Sequence, residues 1–221
     1  MISCKLLILL LAAQIAGAPV VTISDKAERQ YVTEQALVSY LENNGCNPQG
    51  MKIDDVDQHR IEQVLLSHPM LRRAECYVTV NGRVKISVEQ RVPMYKVITA
   101  DEVYYIDTDR KAMPAWQSVT TTVMTASGNI GKRMAREELA EFMQWISNSK
   151  YWRDAVRRVE VPSPKQVVLI EKSGRHVLLG ELTDYEAKMA KLRKFREQQI
   201  PGEPEYREID LRYKGQVIGR K

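Results

Sequence analysis

Histidine and cysteine are scarce in this sequence, with three of each among 221 residues. The histidines, His59, His68 and His176, stand alone, without a second metal-ligating residue at a usable spacing. No Cys-x-x-Cys pair is present either, so we predict no metal site. A Cys46–Cys76 disulfide stays open as an alternative to our interpretation of Cys76 as a small buried apolar residue.

Signatures of catalysis are also missing. Neither the Gly-x-Ser-x-Gly nor the His-Glu-x-x-His motif occurs. The segment SGNIGK, residues 127–132, has two residues between its glycines where a phosphate-binding loop has four, and no Ser or Thr follows its lysine. We therefore predict a protein that is not an enzyme and that uses no cofactor and no small-molecule substrate.

Basic residues outnumber acidic ones by 33 to 28, which gives a net charge of +5 and a pI near 9.0. This balance permits nucleic acid or an anionic membrane as a partner. The densest basic cluster, residues 188–196, is interleaved with Met189, Leu192 and Phe195 at helical spacing, which is typical of the solvated face of an amphipathic helix. Because no nucleic-acid motif accompanies the cluster, we predict no nucleic-acid partner.

One long uncharged stretch is mostly apolar, LLILLLAAQIAGAPVVTIS at residues 6–24. Since about 20 apolar residues span a bilayer, we predict that residues 1–19 form an N-terminal membrane anchor. A signal peptide ending at Ala16-Gly17-Ala18 is an alternative, although Pro19 directly after the cut disfavours cleavage. A buried N-terminal strand is the third interpretation. Under the first two interpretations the rest of the chain lies outside the cytoplasm.

Residues 72–93 predict a β-hairpin, because apolar and polar side chains alternate on both sides of Asn81-Gly82. A two-residue loop would place the two apolar faces on opposite sides of the sheet. A three-residue loop over residues 80–82 instead sets Val78 opposite Val84 and Cys76 opposite Ile86. We therefore predict the longer loop, with Gly82 at positive φ.

The hairpin completes a small α+β module. A strand at residues 20–24 precedes a helix capped by Thr33, and a second helix begins near Asp57 and stops before Pro69. The order β-α-α-β-β predicts a sheet covered on one face by two helices.

From Met94 onward the pattern predicts a second, mostly antiparallel β domain. Helices are predicted at about residues 135–147 and 184–199. The expected strands are MYKVIT, VYYID, SVTTTVMT, RRVEVP, QVVLIE and HVLLG. Near the end of the chain Ile209, Leu211 and Tyr213 alternate with polar residues, and Lys214-Gly215 turns into a last strand at residues 216–219.

The motifs together resemble the FtsQ (DivIB) family of bacterial cell-division proteins. The resemblance is carried by IEQVLLSHPMLRRAECYVTVNGRVKISVEQRVP, VYYIDTDRKAMP, MTASGNI and IDLRYKGQV, in that order. It implies a POTRA module over residues 20–91 and the β domain of the family over residues 92–221. Arg110 stands where the family often has glycine, so we expect Asp109 to take the left-handed position of that turn.

The resemblance also implies a function. Members of the family are non-enzymatic scaffolds of the division machinery, anchored in the cytoplasmic membrane, that bind FtsB, itself paired with FtsL, along the last strands of the β domain. A POTRA-bearing component of outer-membrane assembly or secretion is the alternative, which the short, interrupted strands after Met94 disfavour. Carried over to this sequence, the partner-binding residues are Tyr213, Gly215, Gln216, Val217, Ile218 and Gly219.

Overall fold

The computed structural model describes residues 14–119, 121–198 and 206–221. The chain divides into two compact units, Met1–Gln90 and Arg91–Lys221. Most of the predicted anchor, residues 1–19, lies outside the described residues. Within the described ranges, no helix is both long enough and apolar enough to cross a membrane.

The described end of the uncharged stretch is attached to the N-terminal unit. Ala16 is buried and donates its N–H to the carbonyl of Met51 at 2.8 Å. Ile15 forms an antiparallel bridge with Lys52. Directly after these residues the chain enters the first strand of the unit, β1 (Val20–Ile23).

The N-terminal unit has the predicted order β-α-α-β-β. After β1 come α1 (Glu34–Asn43), a 3-10 turn (Ile53–Asp55), α2 (Gln58–Leu66), β2 (Leu71–Val78) and β3 (Val84–Gln90). The sheet order is β1-β3-β2, in which β3 runs parallel to β1 and antiparallel to β2. The core of the unit is apolar and includes Leu37, Leu41, Ile61, Leu65, Cys76, Val84, Ile86 and Val88.

The two helices begin where the sequence predicts. The hydroxyl of Thr33 accepts a hydrogen bond from the N–H of Ala36 at 3.2 Å, and the carboxylate of Asp57 accepts one from the N–H of Arg60 at 2.9 Å. Each cap supplies an acceptor to the first turn, where N–H groups lack a partner within the helix.

The predicted register of the hairpin is confirmed. Val78 pairs with Val84 and Cys76 with Ile86, so the apolar side chains of both strands share one face. Gly82 has a φ of 68°, in the left-handed region that favours glycine. Its N–H donates to the carbonyl of residue 79 at 2.8 Å and closes the loop.

The C-terminal unit contains one sheet of nine strands in the order β12-β11-β10-β9-β8-β7-β4-β5-β6. Five of its eight strand pairs are antiparallel; β4 with β7, β7 with β8 and β10 with β11 are parallel. The elements are β4 (Pro93–Ile98), β5 (Val103–Asp107), β6 (Ala112–Pro114), β7 (Met124–Gly128), α3 (Lys132–Arg136), α4 (Glu138–Asn148), α5 (Lys150–Ala155), β8 (Val156–Ser163), β9 (Gln166–Glu171), β10 (His176–Gly180), α6 (Tyr185–Glu197), β11 (Glu208–Asp210) and β12 (Ile218–Arg220).

Three predictions for this unit are wrong in detail. Its described residues hold four helices instead of two, because α3 and α5 are too short for their periodicity to be recognised in the sequence. The strand expected at SVTTTVMT begins only at Met124. The last two strands are shorter than predicted: β11 ends at Asp210, and β12 begins at Ile218 and includes Arg220.

The turn after β5 also differs from the expectation, because Arg110 and not Asp109 is left-handed, with a φ of 61°. The carboxylate of Asp107 accepts the N–H groups of Asp109 at 3.0 Å and Lys111 at 2.6 Å. These two bonds fix the loop so that residue 110 takes the left-handed position, even though it is not glycine.

The helices of the C-terminal unit share one core with the sheet. Residues from alternate positions of the strands, such as Tyr95, Val159 and Ile209, are buried together with Phe142 of α4 and Leu192 of α6. The strand residues between them lie on the other face of the sheet. The Tyr95 hydroxyl donates to the carbonyl of Ala135, which satisfies a buried phenol whose pKa is raised by desolvation.

Candidate partner-binding edge

Strand β12, the last of the chain, lies at one end of the nine-stranded sheet. It pairs with β11 alone: Glu208 is opposite Arg220, Ile209 is opposite Gly219 and Asp210 is opposite Ile218. None of the described strands pairs with the opposite side of β12, which we call the free edge of β12. An unpaired edge of this kind can accept a further strand.

The hydrogen bonds of β11 show which groups of β12 point outward. The N–H of His176 donates to the carbonyl of Arg207, and the N–H of Leu211 donates to the carbonyl of Leu178, both at 2.9 Å. In a parallel ladder these bonds direct the backbone of the intervening residue, Ile209, toward β10. The backbone groups of its neighbours Glu208 and Asp210 therefore face β12.

The antiparallel register carries this alternation into β12. Ile218 and Arg220, opposite Asp210 and Glu208, direct their N–H and C=O groups toward β11. Gly219 directs its own N–H and C=O to the free edge. Val217 precedes the strand, and by extension of the same alternation we expect its N–H to point outward as well.

The face of β12 that belongs to the core is filled by an aromatic ring. A Cβ atom on Gly219 would lie 2.5 Å from Cδ1 of Tyr206, so only glycine fits under this ring. Tyr206 in turn packs against Phe195 of α6, with ring centroids 5.6 Å apart. Val217 is half-buried against the same core. The free edge is thus attached to α6 through side chains as well as to β11 through the backbone.

The opposite face of the last two strands carries an ionic cluster around Asp210, which is fully buried. Its carboxylate accepts bonds from Arg212 Nε at 2.9 Å, Arg212 Nη2 at 2.6 Å and the N–H of Arg212 at 3.1 Å. Arg220 Nη2 lies 3.7 Å from the same carboxylate, and Nη1 of Arg220 bonds Glu208. The side-chain bond from Arg212 holds the pKa of Asp210 below its usual range, and Asp210 raises the pKa of Arg212.

Family models match both units of the chain. The model described as FtsQ/DivIB, C-terminal related, covers residues 92–220, which is more than half of the chain. The chain belongs to the FtsQ/DivIB family. A second model, described as a POTRA-like domain, covers residues 17–89. The resemblance seen in the sequence is therefore confirmed, and the family relation supports a role in bacterial cell division.

Solved structures and curated proteins add little to the family match. The major extracytoplasmic domain of the trans isomer of the cell division protein DivIB from Geobacillus stearothermophilus is similar at 13% identity and a TM-score of 0.29, over 47% of this chain and 95% of that domain. A likeness at this level carries no argument about geometry. The comparison with curated proteins finds no match.

Within the C-terminal unit, the six residues predicted for partner binding lie in β12 and in the segment that leads to it. Ile218 and Gly219 lie in β12. Tyr213, Gly215 and Gln216 form the turn that leads to it, with Gly215 at a φ of 81° and the N–H of Gln216 bonded to the carbonyl of Tyr213 at 3.3 Å. Val217, the sixth, joins the turn to the strand.

The sequence-based prediction missed the ionic cluster beside this edge. Glu208, Asp210, Arg212 and Arg220 are not among the six residues, although their spacing of two places them on one face of a strand pair. Charged residues alternate with apolar ones from Glu208 to Arg212, and this alternation was the available signal. A cross-strand ion pair could have been predicted from it.

Side chains that bind metals are not grouped together in the described part of the chain. No cluster of three or more His, Cys, Asp or Glu side chains with metal-binding geometry occurs there. The spacing Ser-x-x-Lys occurs once, at Ser147 and Lys150, but the Ser147 hydroxyl donates to the carbonyl of Met143 at 2.8 Å. His68 is buried, and its Nδ1 accepts the N–H of Met70 at 3.3 Å.

Proposed function

We propose that the chain is a non-enzymatic scaffold of the bacterial division machinery, and that a partner protein binds it by adding a strand to the free edge of β12. The match of residues 92–220 to the FtsQ/DivIB family supports the role in division. The proposed partner is an FtsB-like protein, itself paired with an FtsL-like protein. The proposed location is the cytoplasmic membrane, with residues 1–19 as the anchor and the two units outside the cytoplasm.

The observation that carries the mode of binding is the outward direction of the backbone of Gly219. An incoming strand gains main-chain hydrogen bonds from such groups, and its alternate side chains contact the two faces of the sheet. On one face it meets Tyr206 and Val217, and on the other it meets Ile218 and Arg220. Tyr213, half-exposed in the preceding turn, adds an aromatic contact at the end of the strand.

Two proline variants test this mode of binding in the full chain, held in detergent micelles. Val217→Pro removes an N–H that points outward, so it should weaken binding of the FtsB-like partner by at least about tenfold, or about 1.4 kcal/mol. Ile218→Pro removes an N–H that bonds β11, so it should lower the Tm of the C-terminal unit as well as the affinity. Val217→Ala keeps the N–H and is the matched control, with an expected loss of less than about threefold in affinity, or about 0.6 kcal/mol.

The reference measurements are a binding isotherm and a thermal unfolding curve for each variant. Tyr213→Ala should add a further loss of affinity, and deletion of residues 215–221 should abolish binding while the POTRA-like unit stays folded. An affinity that is unchanged in Val217→Pro and in the deletion variant would exclude the free edge of β12 as the binding site.

A further inference from the structure

The POTRA-like unit also has a free sheet edge, on β2. This strand lies at one end of the order β1-β3-β2, and among the strands of residues 14–119, 121–198 and 206–221 it pairs with β3 alone. The N–H of Ser24 donates to the carbonyl of Val88 at 2.9 Å, so the backbone of Val88 faces β1 and that of Ser87 faces β2. Glu75 is opposite Ser87, so its backbone groups bond β3. The next residue, Cys76, therefore directs its N–H and C=O outward.

The outward N–H of Cys76 is already occupied by a side chain from α2. Glu62 Oε1 accepts this N–H at 2.7 Å, a bond that joins residues 14 positions apart in the chain. The carboxylate therefore stands at the position where the carbonyl of an added strand would accept the same N–H. A second effect of its proximity is on the Cys76 thiol, whose pKa is raised to about 11 by burial and then by the negative charge of Glu62.

We propose that Glu62 closes the free edge of β2 and thereby prevents this strand from pairing with β2 of a second copy of the chain. Natural sheets block their edges with charged groups for the same physical reason, since unpaired N–H and C=O groups accept a strand from another molecule. An incoming carbonyl would have to displace a carboxylate and would meet its negative charge.

A second copy is the occupant because β2 is complementary to itself. Arg73 and Glu75 both lie on its exposed face. The side chain of Arg73 is 65% exposed, and its Nη1 lies 4.0 Å from a carboxylate oxygen of Glu89 on β3. Two antiparallel β2 strands with Ala74 opposite Ala74 place Arg73 of each copy opposite Glu75 of the other, which gives two cross-strand ion pairs. The next outward N–H along this ladder is that of Cys76, which Glu62 holds.

The first test is the association state of the full chain in detergent micelles, measured by sedimentation velocity over a range of concentrations. Glu62→Ala opens the edge and should produce a dimer whose fraction rises with concentration. Glu62→Gln is the matched control: its amide oxygen still reaches the N–H of Cys76, so this variant should stay monomeric like the wild type.

Charge variants identify the register. Arg73→Glu, added to Glu62→Ala, places like charges opposite each other and should abolish the dimer, whereas the further change Glu75→Arg should restore it. A Glu62→Ala variant that folds and stays monomeric at all concentrations would overturn the proposal. So would a dimer that is indifferent to Arg73→Glu.

Amide hydrogen exchange keeps the proposal testable if Glu62→Ala is poorly folded. Glu62→Asp retains the charge, but its side chain is one methylene shorter and does not reach the strand. In this variant the amide of Cys76 should exchange faster than in the wild type, while the amides of Glu75 and Tyr77, which bond β3, keep their rates. Equal rates for Cys76 in the wild type and in Glu62→Asp would show that Glu62 does not occupy this edge.

Discussion

Replacement of Asp210 by asparagine tests the ionic cluster beside β12 with little change in shape. The wild-type carboxylate is fully buried and accepts three hydrogen bonds from Arg212, and it also lies 3.7 Å from Arg220. Asparagine retains one oxygen in the same place but carries no charge. We expect the variant to fold with a less stable C-terminal unit.

The size of the stability loss follows from the strength of the hydrogen bonds that Asp210 accepts. A hydrogen bond to a charged group contributes about 1.5–3 kcal/mol and a neutral one about 1 kcal/mol. The side chains of Arg212 and Arg220 are 38% and 53% exposed, so they recover hydration when the carboxylate is gone. The expected loss in the free energy of unfolding is therefore about 1–2 kcal/mol, well below the roughly 3–5 kcal/mol for a fully buried pair.

The loss should depend on pH in a defined direction. The pKa of Asp210 is lower in the folded state, chiefly because of the bond from the Arg212 side chain, than the value of about 3.9 for an unfolded chain. Its contribution is therefore complete above about pH 4 and disappears as the pH falls through the folded pKa. The difference in stability between wild type and Asp210→Asn should shrink over the same interval.

Tryptophan fluorescence in urea titrations is suited to this measurement, because Trp116, Trp145 and Trp152 all lie in the C-terminal unit. Glu208→Gln is the matched control, since Glu208 bonds Arg220 at a more exposed position and should change stability by less than about 0.5 kcal/mol. A difference between wild type and Asp210→Asn that is the same at pH 7 and pH 3 would refute the assigned role of the carboxylate.

Two further predictions concern the stability of the same unit. Arg91→Ala should lower the free energy of unfolding by about 3–5 kcal/mol, because the side chains of the Arg91–Asp107 pair, 2.7 Å apart, are only 9% and 1% exposed. The variant leaves the buried Asp107 carboxylate with its two backbone N–H bonds but without its counter-charge. A urea titration showing a loss below about 1 kcal/mol would contradict this. Gly128→Ala should lower the free energy of unfolding by more than Gly174→Ala does. A Cβ at residue 128 would lie 2.3 Å from the carbonyl oxygen of Val161, whereas one at residue 174 meets nothing within 4 Å. At residue 174 only the strain at positive φ remains, which costs about 1–2 kcal/mol. Equal urea midpoints for Gly128→Ala and Gly174→Ala would contradict this prediction.

Local features of the fold were predictable because few residues determine them. The hairpin register follows from alternation on either side of Asn81-Gly82, and the helix starts follow from Thr33 and Asp57, whose side chains bond a backbone N–H three positions later. Within the loop itself, the alternation of apolar and polar residues does not predict burial. Val80 continues the apolar pattern of β2 but is fully exposed.

Features that depend on distant residues were not predictable in this way. The six residues of α5 show no helical periodicity, and its start depends on the Ser149 cap and the burial of Trp152. The left-handed Arg110 depends on the Asp107 carboxylate. At the proposed binding edge, the sequence indicated the segment, but the outward direction of Gly219 depends on the parallel pairing of β10 with β11, which no local pattern encodes.

The most direct test of strand addition is amide hydrogen exchange in β12 with and without the FtsB-like partner. The amide of Gly219 points to the free edge and should become strongly protected in the complex. The amide of Ile218 already bonds β11 and should change much less. A complex that forms while the exchange rate of Gly219 stays the same would contradict the account, because the partner would then contact the protein without pairing to β12.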